Sequence, residues 1–232
     1  MPLLTFECIS SDRTEQRSLD AIELVLAGWT GRDANAVKHH IYELAALGVT
    51  PPSRTPIFYR TSVELVTQAG TLQVLGPNTS GEIEYVLLAF EDGLWFTVGS
   101  DHTDREAEST GVALSKQLAG KVIAQKAWRL GDYTAGQSKN WDALTIRSWA
   151  TIDGQRTLYQ DATLANILAP LTLVNAYTDN QNLKPGTIMM SGTPPAIGGI
   201  RPAQRFDMEI EDTNTGRQIT HGYDIDVLPV VS

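Results

Sequence analysis

TSGEIEYVLLAFEDGLWFTVGSDHTDREAE, residues 79–108, decides how this chain folds. GEIEYVLLAF is rich in β-branched, aromatic and aliphatic residues, EDG is turn chemistry, and LWFTVG returns, so the pattern predicts a β-hairpin over about 80–105. Residues i and i+2 of a strand share a face. Glu82 and Glu84 therefore project together, with Ile83 and Tyr85 opposite. The returning strand delivers Asp101 just past its end at Gly99-Ser100. If Glu82 and Glu84 pair near that end, three carboxylates meet. Such a cluster repels itself unless neutralised, and a hard divalent cation such as Mg²⁺ does this while keeping positions open for substrate. Glu-x-Glu is more often a solvated sheet face, since carboxylates are seldom buried, so the flanking sequence has to decide.

The chain has 232 residues, enough for one domain over 1–232 with a sizeable core. At 42% hydrophobic and 19% charged it is composed like a folded globular protein and not like a disordered one. The formal charge of −9 argues against nucleic acid or an anionic membrane as partner. Cys8 is the one cysteine, which excludes an intrachain disulfide and a thiolate metal cluster. No basic-then-apolar leader and no stretch of about 20 apolar residues stands out, so the expected compartment is the cytoplasm.

In chain order, 3–9 reads as a strand, followed by a polar turn, and 22–29 reads as a buried strand. A helix is expected over about 33–47, with Asp33 as cap, Val37, Ile41, Leu44 and Leu47 at helical spacing, and Gly48 at its end. His40 and Glu43 share one face of it at i, i+3, a spacing that surface ion pairs also use. Residues 56–76 supply one or two strands, and 106–121 is partly helical with Gly111 interrupting. Residues 126–140 read as a loop with a short helical piece. A second hairpin, 144–160, turns at Asp153-Gly154. Residues 161–177 read as one helix with a break near Pro170, and 183–193 as a turn and a strand. A third hairpin at 205–225 turns near Asn214–Gly216, and a last strand falls at VLPVV. The class is α+β with a mainly antiparallel core.

Several local wordings, in this order, resemble the fumarylacetoacetate hydrolase superfamily in its short single-domain form. LKPGTIMMSGTPPAIGG (183–199) is similar to that family's Pro-Gly-Asp…Gly-Thr-Pro segment, with Thr187 at the Asp. GEIEYVLL resembles its metal strand, and SDHTDR its Asn-Asp-x-Ser-Ala-Arg, with Asp101 as ligand and Arg105 at the Arg. TIDGQRTLYQDAT places Gln160 at a family Gln, and PIFYR places Arg60 at a family Lys. AVKHHIYE is similar to the lid motif and puts His40 and Glu43 on the catalytic pair. The match runs from about residue 22 to about 228. Its short lid and wording resemble a DUF2848-like subgroup without an assigned substrate. Sixteen residues lie between Glu84 and Asp101, fewer than the family usually has. The active-site lysine is Lys116 by local wording and Lys121 by spacing.

The resemblance implies a mixed β-sandwich roll or barrel under a short helical lid, and a homodimer. It implies Mg²⁺ (or Mn²⁺) on Glu82, Glu84 and Asp101, binding a small oxo-acid substrate. Lys116 would add positive charge at the developing oxyanion, and His40, oriented by Glu43, would activate water. Arg105 and Arg201 would hold a distal carboxylate, while Arg60, Gln160 and Thr193 would line the pocket. The implied activity is hydrolysis of a C–C bond in an acylpyruvate-like or 1,3-dicarbonyl acid through an enolate. The same site could serve a 2-oxo acid decarboxylase, an isomerase, a sugar-acid dehydratase or a non-catalytic oxo-acid binder.

Overall fold

A computed structural model describes residues 1–46, 50–135 and 140–231, and leaves aside the side chains of His40, Glu43 and Leu44. The first strands are β1 (Leu3–Ile9), β2 (Thr14–Asp20) and β3 (Glu23–Gly28), followed by helix α1 (Ala34–Ala46). Then come β4 (Ile57–Thr61), β5 (Val66–Thr67), β6 (Thr71–Leu75), β7 (Thr79–Ser80), β8 (Ile83–Phe90), β9 (Gly93–Asp101) and β10 (Thr103–Asp104). Helices α2 (Arg105–Thr110) and α3 (Val112–Leu118) precede β11 (Lys121–Ile123), β12 (Lys126–Arg129) and α4 (Gly131–Thr134). The chain closes with β13 (Thr145–Ile152), β14 (Gln155–Thr163), α5 (Pro170–Thr178), β15 (Thr187–Met190), β16 (Arg205–Asp212) and β17 (Arg217–Leu228).

The β8–β9 hairpin is the centre of a large mixed sheet ordered β2-β1-β12-β9-β8-β15-β3-β4, with β11 and β5 attached beside β9. A second sheet, β14-β13-β16-β17-β6, packs on it. The fold is α+β and mainly β, with antiparallel pairs dominating, as the sequence predicts. Because β8 has apolar residues on both faces, two cores form. Tyr85, Leu87, Phe96 and Val98 meet Ile146, Phe206, Ile210 and Ile219 of the second sheet. The alternate residues Val86, Leu88 and Trp95 meet Phe6, Leu19, Leu24 and Leu26, which come from strands near opposite ends of the large sheet. The large sheet therefore curls around its second core as an open roll. Among the described residues its end strands β2 and β4 stay unpaired with each other, so the barrel is not closed.

Local expectations change in four places. Lys126–Arg129, expected as loop, is the short strand β12 between β1 and β9. Thr14–Asp20, expected as a turn, is an edge strand burying only Leu19, which leaves almost no hydrophobic signal to read. The expected helix at 161–177 starts at Pro170: β14 runs on to Thr163 and Ala169 is extended at ψ 150. Proline suits the first helical position and pushes its predecessor out of the helical region. The separate last strand at VLPVV is absorbed into β17, which ends at Leu228 before Pro229. The expectations at 47–48 (Leu47, the end of the lid helix at Gly48) and for 136–139 fall outside the described residues.

Candidate metal centre and active site

Register brings the acids together. Ile83 pairs with Ser100 and Glu84 with Gly99, while the Asp101 N–H donates to the Glu82 carbonyl at 2.9 Å. Asp101 is the last residue of β9 and not a residue beyond it. One oxygen from each of Glu82, Glu84 and Asp101 lies within 4.8 Å of the others, and all three residues are buried. Glu82 and Glu84 line a pocket of about 750 Å³, and hard oxygen donors grouped this way fit Mg²⁺ or Mn²⁺.

Three cations balance the acids. Lys116 Nζ lies 2.8 Å from both Glu82 Oε2 and Asp101 Oδ2. Lys121 Nζ lies 2.6 Å from Asp101 Oδ1 and donates to the His102 carbonyl at 2.8 Å. Arg105 donates to Glu82 Oε1, Glu108 Oε2 and Ser80 Oγ at 2.8, 2.8 and 2.7 Å. Burial opposes ionisation of Asp101, but Lys116 and Lys121 outweigh it and hold the carboxyl down at about 2. Glu82 is likewise shifted below the ordinary range, with Lys116 and Arg105 overcoming burial. Glu84 goes the other way: burial, then Asp101, push its carboxyl well above that range, and it accepts the Gly192 N–H at 2.8 Å. Burial also works against charged Lys116, but Asp101 and Glu82 raise it well above the ordinary lysine value. Lys121, wholly enclosed, is shifted down by burial. Of the two lysines left open by the sequence, Lys116 lines the pocket and Lys121 lies behind Asp101.

The SGTPP loop closes one wall. Gly192 has φ +90, and a side chain there would strike the Thr30 hydroxyl, so only glycine lets the backbone reach Glu84. Gln160 Oε1 accepts from Ile83 N (3.1 Å) and Ser148 Oγ (2.9 Å), and Nε2 donates to Thr193 Oγ1 (2.7 Å) and the Pro194 carbonyl (2.6 Å). Thr193 Oγ1 in turn donates to the Ile83 carbonyl at 2.8 Å. Gln160 and Thr193 line the pocket, yet these atoms clasp the loop to β8 instead of reaching for a ligand.

Two expected residues are not brought to the pocket wall. Arg60 is exposed on β4 and pairs with Glu23 at 3.1 Å, because strand alternation turns its neighbour Tyr59 inward. Arg201 lies over the Tyr159 ring, 5.6 Å from its centroid, with one guanidinium nitrogen donating to the Ile197 carbonyl at 2.9 Å. Arg105 reaches the centre, but through Glu82 and Glu108 and not toward a distal carboxylate. His40 and Glu43 lie on α1, whose Ala36 and Val37 line the pocket; their side chains are outside the described set. His39 is exposed.

Sequence reading missed a buried relay behind the triad. His102 Nδ1 meets the Tyr223 hydroxyl at 2.8 Å, that hydroxyl donates to Ser100 Oγ at 2.9 Å, and Ser100 Oγ accepts the Glu82 N–H at 3.1 Å. Burial, then Lys121 and Arg105, lower the His102 imidazole to about 3. Tyr223 lies far along the chain, so no local pattern could have linked it to the hairpin.

A family model described as a protein of unknown function, DUF2848, matches residues 27–223. The chain belongs to the DUF2848 family. Solved structures show which fold that family carries here. This DUF2848 chain superposes on Cg1458 with a TM-score of 0.62 at 15% identity, covering 95% of this chain and 83% of that one. A 2-keto-3-deoxy-D-arabinonate dehydratase, complexed with magnesium and 2,5-dioxopentanoate, gives 0.61 at 16% identity over 93% and 77%. Yeast ynq8, a fumarylacetoacetate hydrolase family protein, gives 0.60 at 17% over 91% and 96%. These likenesses show a fumarylacetoacetate hydrolase-like fold. No curated protein sequence matches the chain. Among the described residues, no helix is long and apolar enough to cross a membrane.

Proposed function

We propose that this DUF2848 chain is a metal-dependent enzyme of small oxo acids, hydrolysing a C–C bond in an acylpyruvate-like or 1,3-dicarbonyl acid. The observation that carries the reading is the convergence of buried Glu82, Glu84 and Asp101, two of which line the pocket beside Lys116. A divalent ion held there would act as a Lewis acid on the oxo and carboxylate oxygens. The Lys116 ammonium, fixed between Glu82 and Asp101, is placed to hold negative charge developing on a substrate oxygen. The water-activating base is assigned to His40 with Glu43, on the helix that contributes Val37 to the pocket.

A lyase reading stands second, favoured by Glu108. This carboxylate lines the pocket outside the triad, with one oxygen on Arg105, and as a base it would accept the proton released from the carbon beside the oxo group. Both readings share abstraction or release next to a carbonyl. The decisive experiment follows deuterium exchange at the carbon beside the oxo group of pyruvate, in D₂O with Mg²⁺ or Mn²⁺, and then identifies products from an acylpyruvate and from a 3-deoxy-2-oxo sugar acid. Exchange is expected, lost in Lys116→Met, with pyruvate plus a carboxylic acid as products. Oxalate binding without exchange or turnover would reduce the protein to a binder. Light scattering tests the proposed homodimer, which a 25.3 kDa species would reject.

A further inference from the structure

The polar floor is only part of the pocket, and the rest of its wall is of a different character. Trp29, Val37, Pro195, Ala196 and Ile200 all line it. Two of these residues sit unusually. Trp29 holds φ +59, a conformation that a bulky L residue seldom adopts and that concentrates at functional positions. Ile200 is 55% exposed at the pocket wall, although an isoleucine gains by being covered.

The charged and amide side chains of the lining that could receive a charged tail are already engaged. Among the described lining residues the cations are Arg105 and Lys116, both bound to Glu82. Gln160 makes four hydrogen bonds within the protein. Among the described lining residues a second carboxylate on the substrate would meet no cation free of an acid, whereas an apolar group would pack on Trp29 and Ile200.

The geometry points to a distal subsite walled by Trp29, Val37 and Ile200 that takes an uncharged apolar or aromatic group, with Trp29 as its specificity-determining residue. The substrate is then a mono-anionic oxo acid with an apolar tail. This rests on the oxo-acid reading of the floor given above.

The test compares three ligands by calorimetry at saturating Mg²⁺: oxalate for the head alone, phenylpyruvate for an aromatic tail and 2-oxoglutarate for a carboxylate tail. Burying a phenyl ring predicts that phenylpyruvate binds about 10- to 100-fold tighter than 2-oxoglutarate. Trp29→Gly, which accepts the left-handed backbone, and Ile200→Ser, at an exposed position, should each erase most of that ratio and leave oxalate affinity unchanged. A ratio at or below one in the wild type, or one untouched by both variants, overturns the subsite. If oxalate fails to bind while the tail preference persists and depends on Trp29, the oxo-acid reading falls and the subsite stands. If none of the three ligands binds, both fall.

Discussion

The two ends of the β8–β9 hairpin carry the same kinds of charge to opposite effect. At the turn, Asp92 meets Arg17 at 2.9 Å and Arg129 at 3.3 Å, with its side chain 33% exposed. At the open end, Asp101 meets Lys116 and Lys121 at 2.8 and 2.6 Å, with its side chain 2% exposed. Water screens the first cluster, so each pair there is worth little. The second has lost its water, and Glu82 and Asp101 are held by Arg105, Lys116 and Lys121 within 2.8 Å. That difference, and not the count of charges, marks the open end as the place where a bound ion or substrate changes the energy.

The comparison is broken most forcefully by removing one acid at each end. Asp101→Asn strands wholly buried Lys121 and should cost about 3–5 kcal/mol in denaturant unfolding, while Asp92→Asn should cost about 1 kcal/mol or less. Equal losses would erase the distinction. Next in size is metal linkage. Mg²⁺ or Mn²⁺ at a hundredfold excess over its Kd should stabilise the wild type by about 2.7 kcal/mol. Glu84→Gln should abolish that gain and barely change the metal-free protein, because the amide oxygen can still accept the Gly192 N–H.

A smaller effect is the pH dependence of the metal-free protein. Asp101 is depressed from 3.8 to about 2, so the unfolded chain takes up its proton first as pH falls. The stability it contributes is present above the ordinary value and is lost between about 4 and 2. Glu84 is raised, so its contribution is complete below the ordinary carboxylate value and is lost as pH rises through its folded value. Thermal melts should fall at both limbs, Glu84→Gln should remove the upper decline, and metal binding should release a proton from Glu84. Smallest is salt: about 0.5 M NaCl should remove what Asp92 contributes to the acid limb and leave that of Asp101.

The open end was legible in the sequence because alternation fixes which side chains of one hairpin meet. Glu82, Glu84 and Asp101 needed only a strand period and one turn. The family-like wording around Arg60 said nothing of its alternation with Tyr59, which leaves Arg60 outside the pocket lining. Gln160 and Thr193 line the pocket, but their hydrogen-bonding atoms turn to Ile83 and Pro194, a matter of which valences the backbone leaves open. Strand Thr14–Asp20 went unread for want of apolar residues, and Tyr223 because its partners lie in another sheet. Trp29 carried no signal, since its backbone conformation is set by the turn out of β3.

The clasp through Gln160 also dictates when this pocket can exist. Its bond to Ile83 spans 77 positions, the Gly192–Glu84 bond 108, and the Tyr223–Ser100 bond 123. Contacts of such sequence separation close late and slowly in a refolding chain. Binding competence should therefore lag behind the appearance of sheet structure, and the Ile83 amide proton should exchange with solvent only when the whole molecule opens.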